Sequence, residues 1–319
     1  MIARLAAILL ISLSVQASYA SSPAAAEDVR VPVKGATLAG TLVRPRGAGP
    51  FPAVVVISGS GPVRGNGGRR FPIYRLIADH LAARGIAVLL YDKRGVGGST
   101  GTWKRETFAG RADDVAALIG WLGRRGGIDR RRIGLIGHSQ GAYVAPLVAH
   151  RAPVAFIVML AGPAESVRAQ ALTYEAVEAS RRGLSAAAVR ARVRRLDLIL
   201  RAASALGPLC RALGASYICY VVDYDPRPAL TTLRVPVLAL FGALDTQVPP
   251  DRNADALGAW LRAAGNDDVT IITLPRANHW FAEAQEGTTR EFLSEGFVPR
   301  FVPGFLDAQS AWILARTRP

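Results

Sequence analysis

The segment Gly137-His138-Ser139-Gln140-Gly141 carries the strongest chemical signal in the sequence. It follows the apolar run Ile133-Gly134-Leu135-Ile136 and precedes a helix-length stretch, so the serine falls at a strand–turn–helix junction. Glycines two residues to either side suit a turn tight enough to push the hydroxyl out of the chain. A serine hydroxyl is a poor nucleophile until a base takes its proton. Of the four histidines, His80 falls in an early helix, His138 lies inside the turn itself, and His150 ends the next helix as a cap. His279, in the loop Leu274-Pro275-Arg276-Ala277-Asn278-His279 after an apolar run, is the base by elimination and position. Such a base needs an acid to fix its tautomer and stabilise the imidazolium. Asp245 ends Leu240-Phe241-Gly242-Ala243-Leu244-Asp245, just past another apolar run, whereas Asp251 and Asp255 fall in the helix that follows. An oxygen that becomes negative during acyl transfer needs backbone N–H donors. Gln140, beside the nucleophile at a helix start, supplies one, and Ser60 in Ser58-Gly59-Ser60-Gly61 supplies the other.

These residues sit where apolar runs end, and the runs alternate with helical spacing. Residues 29–33 and 37–44 read as an opening hairpin around Lys34-Gly35. Buried strands are expected at 53–58, 87–91, 133–137, 155–160, 237–241 and 270–274. Helices are expected at 71–84, 113–123, 142–150, 251–264 and 305–315. Strands separated by helices imply an α/β fold, with a mostly parallel sheet covered by helices on both faces. One interval breaks the pattern. Between residues 163 and 234 no strand-like run appears until 216–222, residues 166–205 are helix-rich, and 196–222 are mostly apolar. So long an insertion reads as a helical cap over the carboxyl ends of the strands, with 196–222 as apolar wall of an acyl pocket.

Composition removes several alternatives. The formal charge is +15, but 36 of the 39 basic residues are arginines spread from end to end, which suits a solvated surface better than a nucleic-acid face. The spacing Gly59-x-Gly61-x-x-x-Gly65 is wrong for a dinucleotide turn, and Pro62 interrupts any helix start. No cofactor or metal is expected. Residues 1–20 carry Arg4, an apolar stretch and the small-residue end Ser18-Tyr19-Ala20, the layout of a secretory signal peptide. The mature protein is then expected in the periplasm or the medium, with no membrane span. Export would put Cys210 and Cys219, the only cysteines, in an oxidising compartment. A local disulfide is one reading and two buried thiols the other.

Taken together, these residues resemble the α/β-hydrolase superfamily along the whole mature chain. The chain order Ser139, Asp245, His279 is the order of that superfamily. Gly59-Ser60-Gly61-Pro62 and Tyr91-Asp92-Lys93-Arg94-Gly95-Val96-Gly97-Gly98-Ser99 resemble turns of bacterial exported hydrolases, serine-aminopeptidase-like or carboxylesterase-like. In those relatives the positions of Asp92 and Arg94 hold the turn, and many carry His where this chain has Ser58. The resemblance implies the α/β-hydrolase fold, with a core at 21–162 and 235–319 and a cap at 163–234. It implies a carboxylesterase acting on a small-molecule ester through an acyl-enzyme, with Ser139, Asp245 and His279 catalytic. A serine aminopeptidase, or another amide or thioester hydrolase, is the alternative, and a non-catalytic binding relative is a third reading. The interval 163–234 holds eleven arginines against Glu165, Glu175, Glu178, Asp197, Asp223 and Asp225, a balance that favours neutral or anionic esters over free amines.

Overall fold

The computed structural model describes residues 24–68, 71–214 and 216–318, so the expected signal peptide lies outside the described residues. Strands β1 (Ala24–Val33) and β2 (Ala36–Pro45) pair antiparallel across a two-residue turn, where Gly35 takes φ 74°. Both run longer than hydropathy suggested. Next come β3 (Phe51–Ile57), helix α1 (Ile73–Ala83) and β4 (Ala87–Tyr91). Helix α2 (Phe108–Leu122) begins five residues before its expected start, because the Thr107 hydroxyl caps it by accepting from Gly110 N at 3.0 Å. Strand β5 (Ile128–His138) also starts early, through the charged stretch Asp129-Arg130-Arg131-Arg132 that hydropathy cannot flag. Then α3 (Gln140–Ala149) and β6 (Ile157–Leu160) follow.

The described residues of the interval after β6 form the helices α4 (Val167–Arg181), α5 (Ala186–Ala205), α6 (Gly207–Leu213), α7 (Ile218–Val221) and α8 (Arg227–Leu230). Ser166 and Ser185 cap the two long ones, each hydroxyl accepting the amide three residues on. Two expectations need correction here. The run 216–222 is helical at its centre, not a strand; of the two readings left open for the cysteines, the structure has the disulfide, joining Cys210 on α6 to Cys219 on α7. The second concerns 196–222 as a pocket wall. Leu198, Ile199, Leu206, Leu209 and Leu213 are each more than half exposed, and only Leu200 of α5 is buried. Apolar content measured along the chain does not say which side of a helix meets the core.

The chain returns to the sheet as β7 (Val237–Gly242), α9 (Pro250–Ala263) and β8 (Val269–Leu274), and closes with α10 (Thr289–Leu293) and α11 (Phe305–Arg316). The eight strands of the described residues order β1-β2-β4-β3-β5-β6-β7-β8. β2 pairs antiparallel with β4, and every later pairing is parallel. Helix α1 touches α11, whereas α2 touches α3 and α8 links α3 to α9, so helical layers enclose the sheet. That enclosure is why β4, β6 and β7 are buried along their whole length and can be apolar at consecutive positions. The parallel strands all point their carboxyl ends one way, which gathers the loops after β3, β5, β7 and β8 at one edge. Helix α4 lies against two of the segments at that edge. Gln170 Nε2 donates to the Gln247 carbonyl, the Tyr174 hydroxyl meets Thr289 Oγ1 at 3.1 Å, and Glu178 accepts from Thr246 Oγ1 at 2.8 Å.

Candidate active site

β5 ends at His138 and α3 begins at Gln140, so Ser139 alone turns the chain. It does so at φ 54° and ψ −118°, a backbone conformation that residues with a Cβ rarely adopt. Its amide donates to the Leu160 carbonyl at 2.8 Å, tying the turn to the end of β6. The flanking glycines answer to space. A Cβ on Gly141 would lie 2.0 Å from the Ile57 oxygen, and one on Gly137 would lie 2.6 Å from the Gly141 oxygen. Ser139 and His279 line one cavity of about 350 Å³, and the Ser139 hydroxyl has no hydrogen-bond partner among the described residues. It is free for a substrate.

Asp245 follows β7 and is buried. Its Oδ1 accepts from the amides of Gln247 at 2.8 Å and Val248 at 2.9 Å. Its Oδ2 lies 2.8 Å from His279 Nδ1. A carboxylate can only accept there, so Nδ1 carries a proton, and in the neutral imidazole Nε2 keeps its lone pair free. The loop that carries His279 is organised by Asn278, whose side-chain oxygen accepts from Trp280 N and Ala282 N at 2.9 and 3.0 Å. Asp251, the nearest competitor in sequence, opens α9 and is exposed.

His138 has a different place from the one its sequence position suggests. Its Nε2 lies 3.0 Å from the His279 carbonyl and its Nδ1 lies 2.9 Å from the Tyr74 hydroxyl. The carbonyl requires Nε2–H, which leaves Nδ1 to accept from Tyr74. Burial and the neighbouring His279 push the His138 pKa down to about 3, so the ring stays neutral. Tyr74 in turn accepts the Gly59 amide at 2.8 Å. One neutral imidazole therefore ties the turn after β3 to the loop that bears His279.

Of the two expected oxyanion donors, the Gln140 amide opens α3, where backbone N–H groups have no partner within the helix. Ser60 lines the cavity with Gly59, and the Gly59 amide is already engaged by Tyr74. Sequence reasoning missed Tyr74, Lys93 and Arg111. Arg111 is buried on α2 and donates to the Ser58 carbonyl at 2.7 Å and to Gln140 Oε1 at 3.2 Å. Its signal was available: it interrupts the apolar stripe Phe108, Ala112, Val115, Leu118, Ile119, Leu122. The Tyr217 hydroxyl, from the interval after β6, also donates to Gln140 Oε1 at 3.1 Å. Asp92 and Arg94 hold the neighbouring turn. Asp92 accepts from Gly65 N and Gly98 N at 2.7 and 3.0 Å, while Arg94 pairs with Asp114 at 2.6 Å and Glu106 at 3.4 Å.

The cavity walls are apolar: Val63, Phe71, Ile73, Trp280, Phe292 and Leu293, with Trp280 and Phe292 stacked at 3.9 Å between ring centres. None of the lining residues is a carboxylate. Among the described residues no three His, Cys, Asp or Glu side chains stand together as metal ligands. No described helix is long and apolar enough to cross a membrane.

Residues 34–248 match the model of the X-Pro dipeptidyl-peptidase (S15) family. Esterase EstD of Thermotoga maritima is 29% identical over 308 residues, which span 92% of this chain and 68% of that protein. Among solved structures, the Pyrococcus furiosus esterase Pf2001 superposes with a TM-score of 0.59 at 14% identity, covering 92% of this chain and 91% of the other. The alpha/beta hydrolase GrgF of Penicillium sp. sh18 gives 0.61 at 19% identity, covering 92% and 99%. Both structural likenesses speak for the fold.

Proposed function

The chain belongs to the X-Pro dipeptidyl-peptidase (S15) family, within the α/β-hydrolase superfamily, and from there we propose that it cleaves carboxylic esters through an acyl-enzyme on Ser139. The observation that carries this reading is the buried His279–Asp245 hydrogen bond beside a cavity that His279 shares with Ser139. Ser139 Oγ attacks the ester carbonyl carbon while His279 Nε2 takes its proton. The amides of Gln140 and Ser60 hold the oxygen that becomes negative. His279 then returns the proton to the departing alcohol. Water, deprotonated by the same nitrogen, releases the acid and restores the serine.

An ester is favoured over a peptide by the cavity. An apolar wall with no carboxylate suits an uncharged acyl group and offers nothing to pair with a substrate ammonium. The likeness to the Thermotoga maritima esterase supports the same reading. A second reading, release of X-Pro dipeptides, is supported by the family match. Hydrolysis of p-nitrophenyl esters from acetate to octanoate, run beside an X-Pro p-nitroanilide, separates the two. Ester turnover that disappears in Ser139→Ala supports the first. Turnover of the anilide alone supports the second, and ester turnover undiminished in Ser139→Ala sinks the serine assignment.

We propose separately that the protein acts outside the cytoplasm. The leader-like composition of residues 1–20 and the Cys210–Cys219 disulfide support export. N-terminal sequencing of protein recovered from the periplasm or medium should begin near residue 21, and an intact cytoplasmic Met1 rejects it.

A further inference from the structure

Lys93 is 3% exposed, in a chain whose basic residues are almost all arginines. It follows β4, and its Nζ donates to two carbonyls of the turn after β3: that of Gly59, and that of Gly61 at 2.7 Å. Arg111 takes a third, the Ser58 carbonyl. Two buried basic side chains thus hold three of the four backbone carbonyl oxygens of Ser58-Gly59-Ser60-Gly61. The peptide that joins Gly59 to Ser60 is the informative one. In a trans peptide the C=O and the following N–H lie on opposite edges of one plane. With the Gly59 oxygen held at Lys93, the Ser60 N–H must point to the other side, away from Nζ. Gly59, Ser60 and Ser139 together line the catalytic cavity. The Gly59 amide cannot substitute, because Tyr74 accepts it. The Gly61 contact adds no competing donor, since the next residue is Pro62, and φ 75° at Gly61 lets its carbonyl turn back toward Nζ.

We propose that Lys93 is a positioning residue for the oxyanion hole: by binding the carbonyl oxygens of Gly59 and Gly61 it sets the peptide plane that aims the Ser60 N–H at the substrate's carbonyl oxygen. The proposal rests on the serine-hydrolase reading of this site. A lysine suits the task because one nitrogen can serve two converging carbonyls, whereas a guanidinium presents its N–H groups in a flat fork. Burial and the nearby Arg111 push the Lys93 pKa down, with Glu106 opposing. An amine and an ammonium both carry the two N–H groups the carbonyls need.

The test begins with wild-type protein and a fluorophosphonate, whose attachment to Ser139 establishes the serine reading independently of Lys93. Lys93→Met, Lys93→Gln and Lys93→Arg are then compared on p-nitrophenyl butyrate and on a trifluoromethyl ketone, which forms a charged tetrahedral adduct with the serine. Lys93→Met should lower kcat by about 10- to 100-fold with KM within about 2-fold, and weaken the ketone by a similar factor. Lys93→Gln, which retains an N–H₂ donor, should fall between wild type and Met. Lys93→Arg should not restore the wild-type rate. If Lys93→Met does not fold, as judged by circular dichroism, the Gln and Arg variants decide. Ketone affinity unchanged while kcat falls, or kcat unchanged in a folded variant, overturns the proposal. A wild-type protein that the fluorophosphonate leaves unlabelled overturns the serine reading, and the positioning role with it.

Discussion

Asp245 spends one carboxylate oxygen on two backbone amides and the other on His279, so its geometry is set by the chain around it. Asp245→Asn keeps the shape but offers an amide where a second acceptor is needed, which favours the wrong imidazole tautomer. A fall in kcat of about 10³- to 10⁴-fold is expected, with little change in thermal stability. His138 makes a prediction of another kind. Its folded pKa is about 3, against about 6.5 for an unperturbed histidine. Between those values the unfolded chain binds a proton that the native state does not, so this group's contribution to stability is present above about pH 6.5 and is lost as pH falls. His138→Gln keeps a donor for the His279 carbonyl and an acceptor for Tyr74 but removes the titration. The unfolding free energy of wild type relative to the variant should therefore decline from pH 7 to pH 4, by up to about 3 kcal/mol. Urea titrations at several pH values measure it, and a constant difference would falsify the assignment.

At the scale of elements, close packing rather than backbone freedom explains Gly134 of β5. A Cβ on Gly134 would lie 2.3 Å from a ring carbon of Phe156, which is fully buried and immediately precedes β6. Gly134→Ala should cost about 1–3 kcal/mol by overpacking, and adding Phe156→Leu should recover part of the loss. Thermal melts of the two single variants and the double close the cycle. Independent, additive losses would show that the clash is relieved some other way. The same crowding at Gly141 falls on backbone, the Ile57 carbonyl, which no rotamer change can move. Gly141→Ala should accordingly displace Ser139 and abolish ester turnover even where the sheet survives.

For the whole molecule, the helical interval 163–234 meets the segments around Ser139 at several points, and one of them falls on Gln140. Tyr217 meets Gln140 and packs edge-on against Trp103 at 5.4 Å, and Cys219, two residues on, is bridged to Cys210. A disulfide that closes so short a loop restrains the unfolded segment by about 3 kcal/mol at most. Reduction should loosen α6 and α7 and lower kcat a few-fold through Gln140, while the melting temperature of the sheet holds. The measurement pairs ester kinetics with thermal melts, in the presence and absence of reductant. A melting temperature that collapses with kcat unchanged would mean the bridge serves the core and not the site.

The sequence by itself determined that parallel apolar strands alternate with helices, and that Ser139, Asp245 and His279 fall just past three of them. Both are local properties: a run of consecutive apolar residues, a glycine two positions from a serine, a polar residue where the run stops. The parallel sheet then brings those ends together with no further specification. Only the tertiary structure decided what holds the turn after β3. The Lys93–Gly59 and Arg111–Ser58 contacts join residues 34 and 53 positions apart, and His138 meets the His279 carbonyl across 141. Nothing at either partner's own position announces the other. The helical interval 163–234 shows the complementary failure. Its large aliphatic residues were visible in composition, but burial depends on what packs against a helix, and Leu198, Ile199, Leu206, Leu209 and Leu213 stay more than half exposed. Pattern fixes how much apolar surface an element carries, and the folded chain alone decides which side of it meets a neighbour.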